Sequence, residues 1–164
     1  MKRLILILVL IGLLVLDNSL MPFLSIKGAF PSLLFMFSIS YSIIKGRDEA
    51  VFIGILSGLL QDVFFYNIFG INALANMILC FLAAIIGENI YKNRKLIPVF
   101  TGLIASLLKV LVVYIILFLS NKYLNVETAL FSTLYNTFIM FLFYNIIFKF
   151  CYNEYSIKSW KIRK

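Results

Sequence analysis

The sequence predicts an all-α membrane protein with six transmembrane helices and both termini in the cytoplasm. Three observations lead to this class. Of the 164 residues, 63% are hydrophobic and only 13% are charged, whereas a soluble domain is about 45–50% apolar and about 25% charged. Six apolar runs approach the length that a membrane-spanning helix needs. Lys and Arg concentrate in alternate connections between these runs, as the positive-inside rule requires.

The six runs are separated by short connections, none of which is long enough for a soluble domain. We place the spans at Leu4–Leu24, Ala29–Ile44, Ala50–Tyr66, Ile71–Ile90, Leu96–Leu119 and Ala129–Phe148. The chain is therefore expected to form one transmembrane domain, residues 1–148, followed by a short cytoplasmic tail, residues 149–164. The tail combines basic and aromatic side chains, which favours a position on the anionic inner leaflet.

The first span begins like a signal peptide, because Lys2 and Arg3 precede its apolar run. No small-residue cleavage site follows that run, so we expect the span to be retained. Pro31 and Pro98 are placed in the first turns of the second and fifth spans, where a missing N–H costs nothing. The uncharged turn Tyr66–Gly70 joins the third and fourth spans, and Gly70 is expected to supply its permissive backbone.

The distribution of basic residues sets the predicted orientation. With six spans, twelve of the fifteen Lys and Arg residues lie on one side, and that side includes both ends of the chain. Only Lys27 and Lys122 lie on the opposite side, and Lys109 lies within a span. Because cytoplasmic loops carry the excess of Lys and Arg, both termini are predicted to be cytoplasmic.

Three charges lie in apolar surroundings and require an explanation, since a charge within the bilayer costs about 2.5–3.5 kcal/mol on insertion scales. At about 1.5 Å per residue, Asp17, Asp62 and Lys109 all lie roughly 17–20 Å from the inner ends of their spans. Opposite charges at one depth favour pairing. We predict that Lys109 pairs with Asp62 or, failing that, with Asp17. Such a pair would serve packing, partner contact or binding of a substrate or ion, and the sequence leaves these roles open.

The third span carries small and polar residues on one helical face. Gly54, Gly58 and Asp62 recur every fourth residue, and Ser57 and Gln61 lie beside them. A GxxxG spacing allows close approach of another helix, either within the bundle, from a partner or from a second copy. We therefore assign helix packing or partner contact to these residues together with Gly70 and Asn72. Asn72 and Asn76 are further expected to form hydrogen bonds across helices.

The residue types present point away from catalysis and from metal or cofactor binding. The chain has no histidine, and its two cysteines, Cys80 and Cys151, have no CxxC or CxxH spacing. No nucleophile elbow, phosphate-binding loop or zinc-protease motif is present. The formal charge of +8 follows the membrane surface and does not indicate nucleic acid. We predict a non-enzymatic protein with no cofactor.

The third and fourth spans resemble the rod shape-determining MreD family of bacterial inner-membrane proteins. The resemblance rests on Gly54, on Gly58-Leu59-Leu60-x-Asp62 and on Gly70-x-Asn72-Ala73-Leu74. Pro31, the chain length and the six short-looped spans strengthen it. The chain departs from the family pattern at Ser32, where an acidic residue is expected, and Lys109 has no role that the family supplies.

The resemblance implies a component of the cell-elongation machinery that synthesises peptidoglycan. It implies a membrane scaffold that associates with a bitopic MreC-like protein and, through it, with MreB, RodA and a transpeptidase. It also implies a fold similar to the S components of energy-coupling-factor transporters. A vitamin-binding S component is therefore the alternative function, although the first span offers only Gly12 where docking on a transporter module requires several small residues.

Overall fold

The computed structural model describes residues 2–26, 28–64, 69–89, 96–119 and 126–161, which form six α-helices and one short 3-10 helix. The α-helices are α1 (Lys2–Ser19), α2 (Leu33–Lys45), α3 (Arg47–Phe64), α4 (Ile71–Glu88), α5 (Leu96–Leu119) and α6 (Val126–Lys161). Within these ranges the only β-structure is an isolated bridge between Ile26 and Ala29. The predicted all-α class is therefore confirmed.

Three helices are long and apolar enough to cross a membrane, judged over the part of the chain that the structure describes. These stretches are Ile71–Glu88, Leu96–Ile116 and Glu127–Cys151. Helix α2 is equally apolar in character but has only 13 residues. This composition is that of a helical membrane protein.

The first span ends earlier than predicted. Helix α1 stops at Ser19, and the 3-10 helix Met21–Leu24 follows it. Pro22 lies at the start of this short helix, where its missing N–H is tolerated. The sequence stays apolar through the change of helix type, which is why hydropathy alone extends the span to Leu24.

The start of α2 also differs from the prediction. Ser32 has extended backbone angles and caps the helix, its hydroxyl accepting a hydrogen bond from the Phe35 N–H at 3.2 Å. Pro31 therefore precedes the helix and does not lie in its first turn. At the other end Gly46, with φ +97°, is the single residue between α2 and α3. A positive φ of this size strains any residue with a Cβ.

Helix α2 occupies the centre of the bundle and packs against each of the other five helices. Every residue from Leu34 to Ile44 is buried. Three of these residues are serines, and each donates its hydroxyl hydrogen to a carbonyl four residues earlier in the same helix; they are Ser38, Ser40 and Ser42. These serines satisfy their hydroxyls locally, so α2 can be buried on all sides.

Helices α3 and α4 form the most extensive helix pair among the described residues. A Cβ added at Gly54 would lie 2.7 Å from the Met77 Cα, and one added at Gly58 would overlap the backbone of Ala73. The GxxxG face of α3 is thus packed directly on the α4 backbone. Gly87 plays the corresponding part between α4 and α2, because an added Cβ would overlap the backbone of Ile43.

Helix α6 is longer than the predicted sixth span, Ala129–Phe148. It has 36 residues, about 54 Å at 1.5 Å per residue, whereas a bilayer core is about 30 Å thick. The predicted tail from residue 149 therefore begins as a continuation of α6, which ends at Lys161.

Candidate functional site

Asp62 lies at the last turn of α3 and joins it to the start of α4. Its carboxylate accepts hydrogen bonds at 3.0 Å from the backbone N–H groups of Gly70, Asn72 and Ala73, and another from Asn72 Nδ2. The first N–H groups of a helix have no partner within the helix and carry partial positive charge. Asp62 is 5% exposed, and these donors compensate its charge without a cation. The middle of the hairpin, residues 65–68, lies outside the described residues.

Gly70 has the permissive conformation that was predicted for it. It lies directly before α4 with φ +100° and ψ −13°, in the left-handed region. This geometry turns its own N–H towards Asp62. Asn72 likewise makes the predicted cross-helix hydrogen bond, and its acceptor is Asp62.

Asp17 gives α2 the same kind of cap that Asp62 gives α4. Its carboxylate accepts from the Leu33 N–H at 2.7 Å, from the Leu34 N–H at 3.1 Å and from the Ser32 hydroxyl at 3.0 Å. Asp17 is 3% exposed. Since Asp17 lies two residues before the end of α1, this contact holds the end of α1 against the start of α2.

Ser32 connects four helices at that point. Its hydroxyl donates to Asp17 of α1 and accepts from Gln61 Nε2 of α3 at 2.9 Å. Its backbone N–H donates to Asn136 Oδ1 of α6 at 2.8 Å. The residue that departs from the family pattern is therefore the one through which α1, α2, α3 and α6 are tied together.

Gln61 of α3 also forms hydrogen bonds to residues of α4 and α5. Its Oε1 accepts from Asn76 Nδ2 at 2.9 Å and from Lys109 Nζ at 2.7 Å. Asn76 also donates to the Ser57 hydroxyl at 3.3 Å, as expected for a cross-helix contact. We call the connected residues the polar network; they are Asp17, Ser32, Ser57, Gln61, Asn76, Lys109 and Asn136. Through it, every helix of the bundle is hydrogen-bonded to at least one other.

Lys109 was predicted to contact a carboxylate. In the structure its ammonium group contacts a neutral amide oxygen and an aromatic ring. Its Nζ donates to Gln61 and lies 4.3 Å from the centroid of the Phe35 ring. Asp62 and Asp17 are near enough for through-space attraction, but within the described residues each directs its oxygens to a helix N-terminus. The predicted contact between Lys109 and Asp62 or Asp17 is not made among the described residues, because backbone N–H groups occupy the carboxylate oxygens.

Ser32 and Asn136 were not identified as site residues from sequence. A Ser between Pro31 and a long apolar run is a helix-start signal, so the capping role of Ser32 was accessible. Its contacts with Gln61 and Asn136 were not, because those residues lie 29 and 104 positions away in the chain. Asn136 lies between Tyr135 and Thr137 and has no local signature.

The geometry of the polar network favours a structural role over a catalytic one. The polar network consists of three amides, two hydroxyls, one carboxylate and one ammonium, and all six helices contribute to it. Two buried atoms in the described part of the chain, Asn76 Oδ1 and Ser106 Oγ, have no hydrogen-bond partner. Hydrogen bonds between helices in an apolar interior fix register and orientation, although each contributes only about 0.6 kcal/mol on average in a membrane protein.

Ser32→Ala is expected to destabilise the folded protein by about 1–3 kcal/mol. The substitution removes the cap of α2 and leaves Gln61 Nε2 without its acceptor, and an orphaned buried group costs about 1–3 kcal/mol. Ser40→Ala is the matched control, because Ser40 donates only within its own helix. Unfolding in detergent micelles titrated with denaturing detergent measures both. Equal stability of the two variants would contradict a connecting role for Ser32.

A family model described as rod shape-determining protein MreD matches residues 1–153 of this chain. No curated protein and no solved structure gives a significant match. The match includes all six helices up to the part of α6 that extends past residue 153.

Proposed function

The chain belongs to the MreD family of rod shape-determining membrane proteins, and from that premise we propose that it acts as a non-enzymatic membrane scaffold of the cell-elongation complex. Membership of the family makes it a participant in rod-shape determination. The scaffold role is the proposed refinement. It would place and hold other components of peptidoglycan synthesis, and it would transform no substrate itself.

The observation that supports this proposal is that the buried polar residues form hydrogen bonds to other parts of the bundle. Asp17 and Asp62, the two buried carboxylates, are occupied by helix N-termini, and Gln61 links α2, α4 and α5. An acid or base in catalysis must reach a substrate proton. Carboxylates that accept three or four hydrogen bonds from the protein are suited to fixing a structure, which is what a scaffold requires.

We propose six membrane-spanning segments with both termini in the cytoplasm, in the bacterial inner membrane. Six consecutive α-helices support six crossings, and the basic residues support the orientation. Helix α2 is short for a crossing, but it is enclosed by the other five helices, so its ends need not reach the membrane surfaces. We also propose that the fold is similar to that of S components in its number of helices and in their apolar character.

The proposed direct partner is an MreC-like protein with one transmembrane helix. Through it the chain would act with MreB, RodA and a transpeptidase, in contact with membrane lipids. Self-association is the competing use of the bundle surface. The Gly54 and Gly58 face would not serve it, because α4 already covers that face.

Isolation of the tagged full-length chain from its own cell envelope in mild detergent tests the proposal. We expect a single-span MreC-like protein and wall-synthesis enzymes to copurify. An unrelated multi-span membrane protein with the same tag is the control for detergent carry-over. Recovery of a paired ATPase with its transmembrane subunit, together with a bound vitamin, would contradict the scaffold role.

A further inference from the structure

One face of α5 changes from buried to half-buried midway along the helix. In its first half a regular stripe of residues is buried against the bundle: Pro98, Thr101, Gly102, Ala105 and Ser106. The stripe continues at helical spacing through Lys109, Val112, Val113 and Ile116, and all four are only half-buried. We call these four residues the α5 stripe. From residue 107 to residue 116 no side chain is fully buried.

Lys109, the first residue of the α5 stripe, has an ammonium group that contacts no anion among the residues the structure describes. Lys109 donates to Gln61 and faces the Phe35 ring, so a three-donor group has one hydrogen-bond acceptor among the described residues. Ser106, one turn earlier on the same face, is 2% exposed and its hydroxyl has no partner. A group that accepts from both would complete this part of the bundle.

The charge of Lys109 distinguishes the α5 stripe from an apolar cavity elsewhere in the bundle. An apolar cavity of about 370 Å³ lies between α1, α2 and α6, and lipid tails or any apolar helix could fill it. Lipid tails cannot compensate an ammonium. The end of α5 at Leu119 lies about 15 Å from Lys109 along the helix, so a phospholipid phosphate at the membrane surface is beyond the reach of its side chain.

We propose that the α5 stripe receives a transmembrane helix of the partner, and that an Asp or Glu on that helix pairs with Lys109. The inference rests on the proposed function, since it names the face on which a single-span partner docks. The valines and the isoleucine supply apolar contact, and the carboxylate supplies the missing anion. Charged residues within membranes pair with one another because each is costly alone, so this pairing selects an acidic helix over an apolar one.

Photocross-linking of the full-length chain in its own membrane tests the position of the partner. A photoreactive amino acid replaces Val113 in the α5 stripe, and the same amino acid at Ile104, 49% exposed on another face of α5, is the matched control. We expect cross-links to the partner's transmembrane segment from position 113 and few from position 104. Cross-links from position 113 to lipid alone, or to a second copy of this chain, would overturn the inference.

Substitutions at Lys109 test the charge. Lys109→Met is expected to lower the copurified partner about tenfold, equivalent to about 1.4 kcal/mol, whereas Lys109→Arg retains it. Lys109→Glu is expected to lose the partner and to regain it when the partner's carboxylate is replaced by Lys. Val113→Trp should block docking without altering the polar network. If Lys109→Met does not elute as a folded monodisperse species, capture of the partner by Val113→Trp tests the docking face instead.

The possible failures are distinguishable. If the unaltered chain captures no single-span partner, the proposed function falls and this inference falls with it. If Lys109→Met and Val113→Trp both capture the partner at the level of the unaltered chain, the docking face is wrong and the scaffold role stands.

Discussion

Replacement of Asp62 by Ala is expected to lower the free energy of unfolding by about 3 kcal/mol or more. The carboxylate accepts hydrogen bonds from three backbone N–H groups at the start of α4 and from the Asn72 amide. Loss of a helix cap alone costs about 1 kcal/mol, and each buried donor left without an acceptor adds about 1–3 kcal/mol. Water cannot readily replace the carboxylate, because Asp62 is buried.

Two further variants isolate the cause. Asp62→Asn keeps one acceptor oxygen but loses the charge, so its stability should lie between those of the wild type and Asp62→Ala. Asp48→Ala removes an exposed carboxylate from the first turn of the same helix and is expected to cost less than about 1 kcal/mol. Reversible unfolding in mixed micelles, followed by circular dichroism, measures all three. Equal effects of Asp62→Ala and Asp48→Ala would show that the cap does not stabilise the fold.

Gly58→Ala is expected to destabilise the protein by about 2–3 kcal/mol, although Ala is the better helix former. An added methyl group would overlap the Ala73 backbone, and a backbone cannot rotate away as a side chain can. Helices α3 and α4 would have to separate, and overpacking of this kind costs about 1–3 kcal/mol or more. The same movement would draw Asp62 away from the N-terminus of α4.

Gly12→Ala is the matched control for this substitution. Gly12 also lies within a helix, but an added Cβ there meets nothing within 4 Å. Relief of the helix penalty of glycine should stabilise this variant by up to about 1 kcal/mol. The two Gly→Ala substitutions are therefore expected to change the melting temperature in opposite directions. A stabilised Gly58→Ala variant would show that α3 and α4 do not approach as closely as the bundle geometry requires.

The helical class and the location of the polar site could be predicted from the chain alone. Helix formation by α5 follows from a continuous apolar run, and its observed bounds, Leu96–Leu119, match the predicted span. The prediction that Asp17, Asp62 and Lys109 lie at a similar depth followed from helical rise, which does not determine which side chains come into contact. Gly70 was recognised because a turn before a helix requires a backbone that tolerates positive φ.

Hydrogen-bond partners were not determined by any local pattern. The partners of Ser32 come from α1, α3 and α6, and only the packing of those helices decides that they converge. The same holds for Lys109, since the competition between helix N-termini and an ammonium for two carboxylates is settled by distances across the bundle. The packing role of Gly87 could not be predicted from local sequence either. It arises from close approach to the Ile43 backbone of α2, 44 positions earlier.

Periodicity and hydropathy act through neighbours along the chain, so the sequence by itself determined which segments are helical, which faces are apolar and where along its helix each charge lies. The tertiary structure alone decided which donor meets which acceptor. Asp17 and Asp62 serve as helix caps and Gln61 contacts Lys109, because these contacts depend on which helices become neighbours and at what rotation.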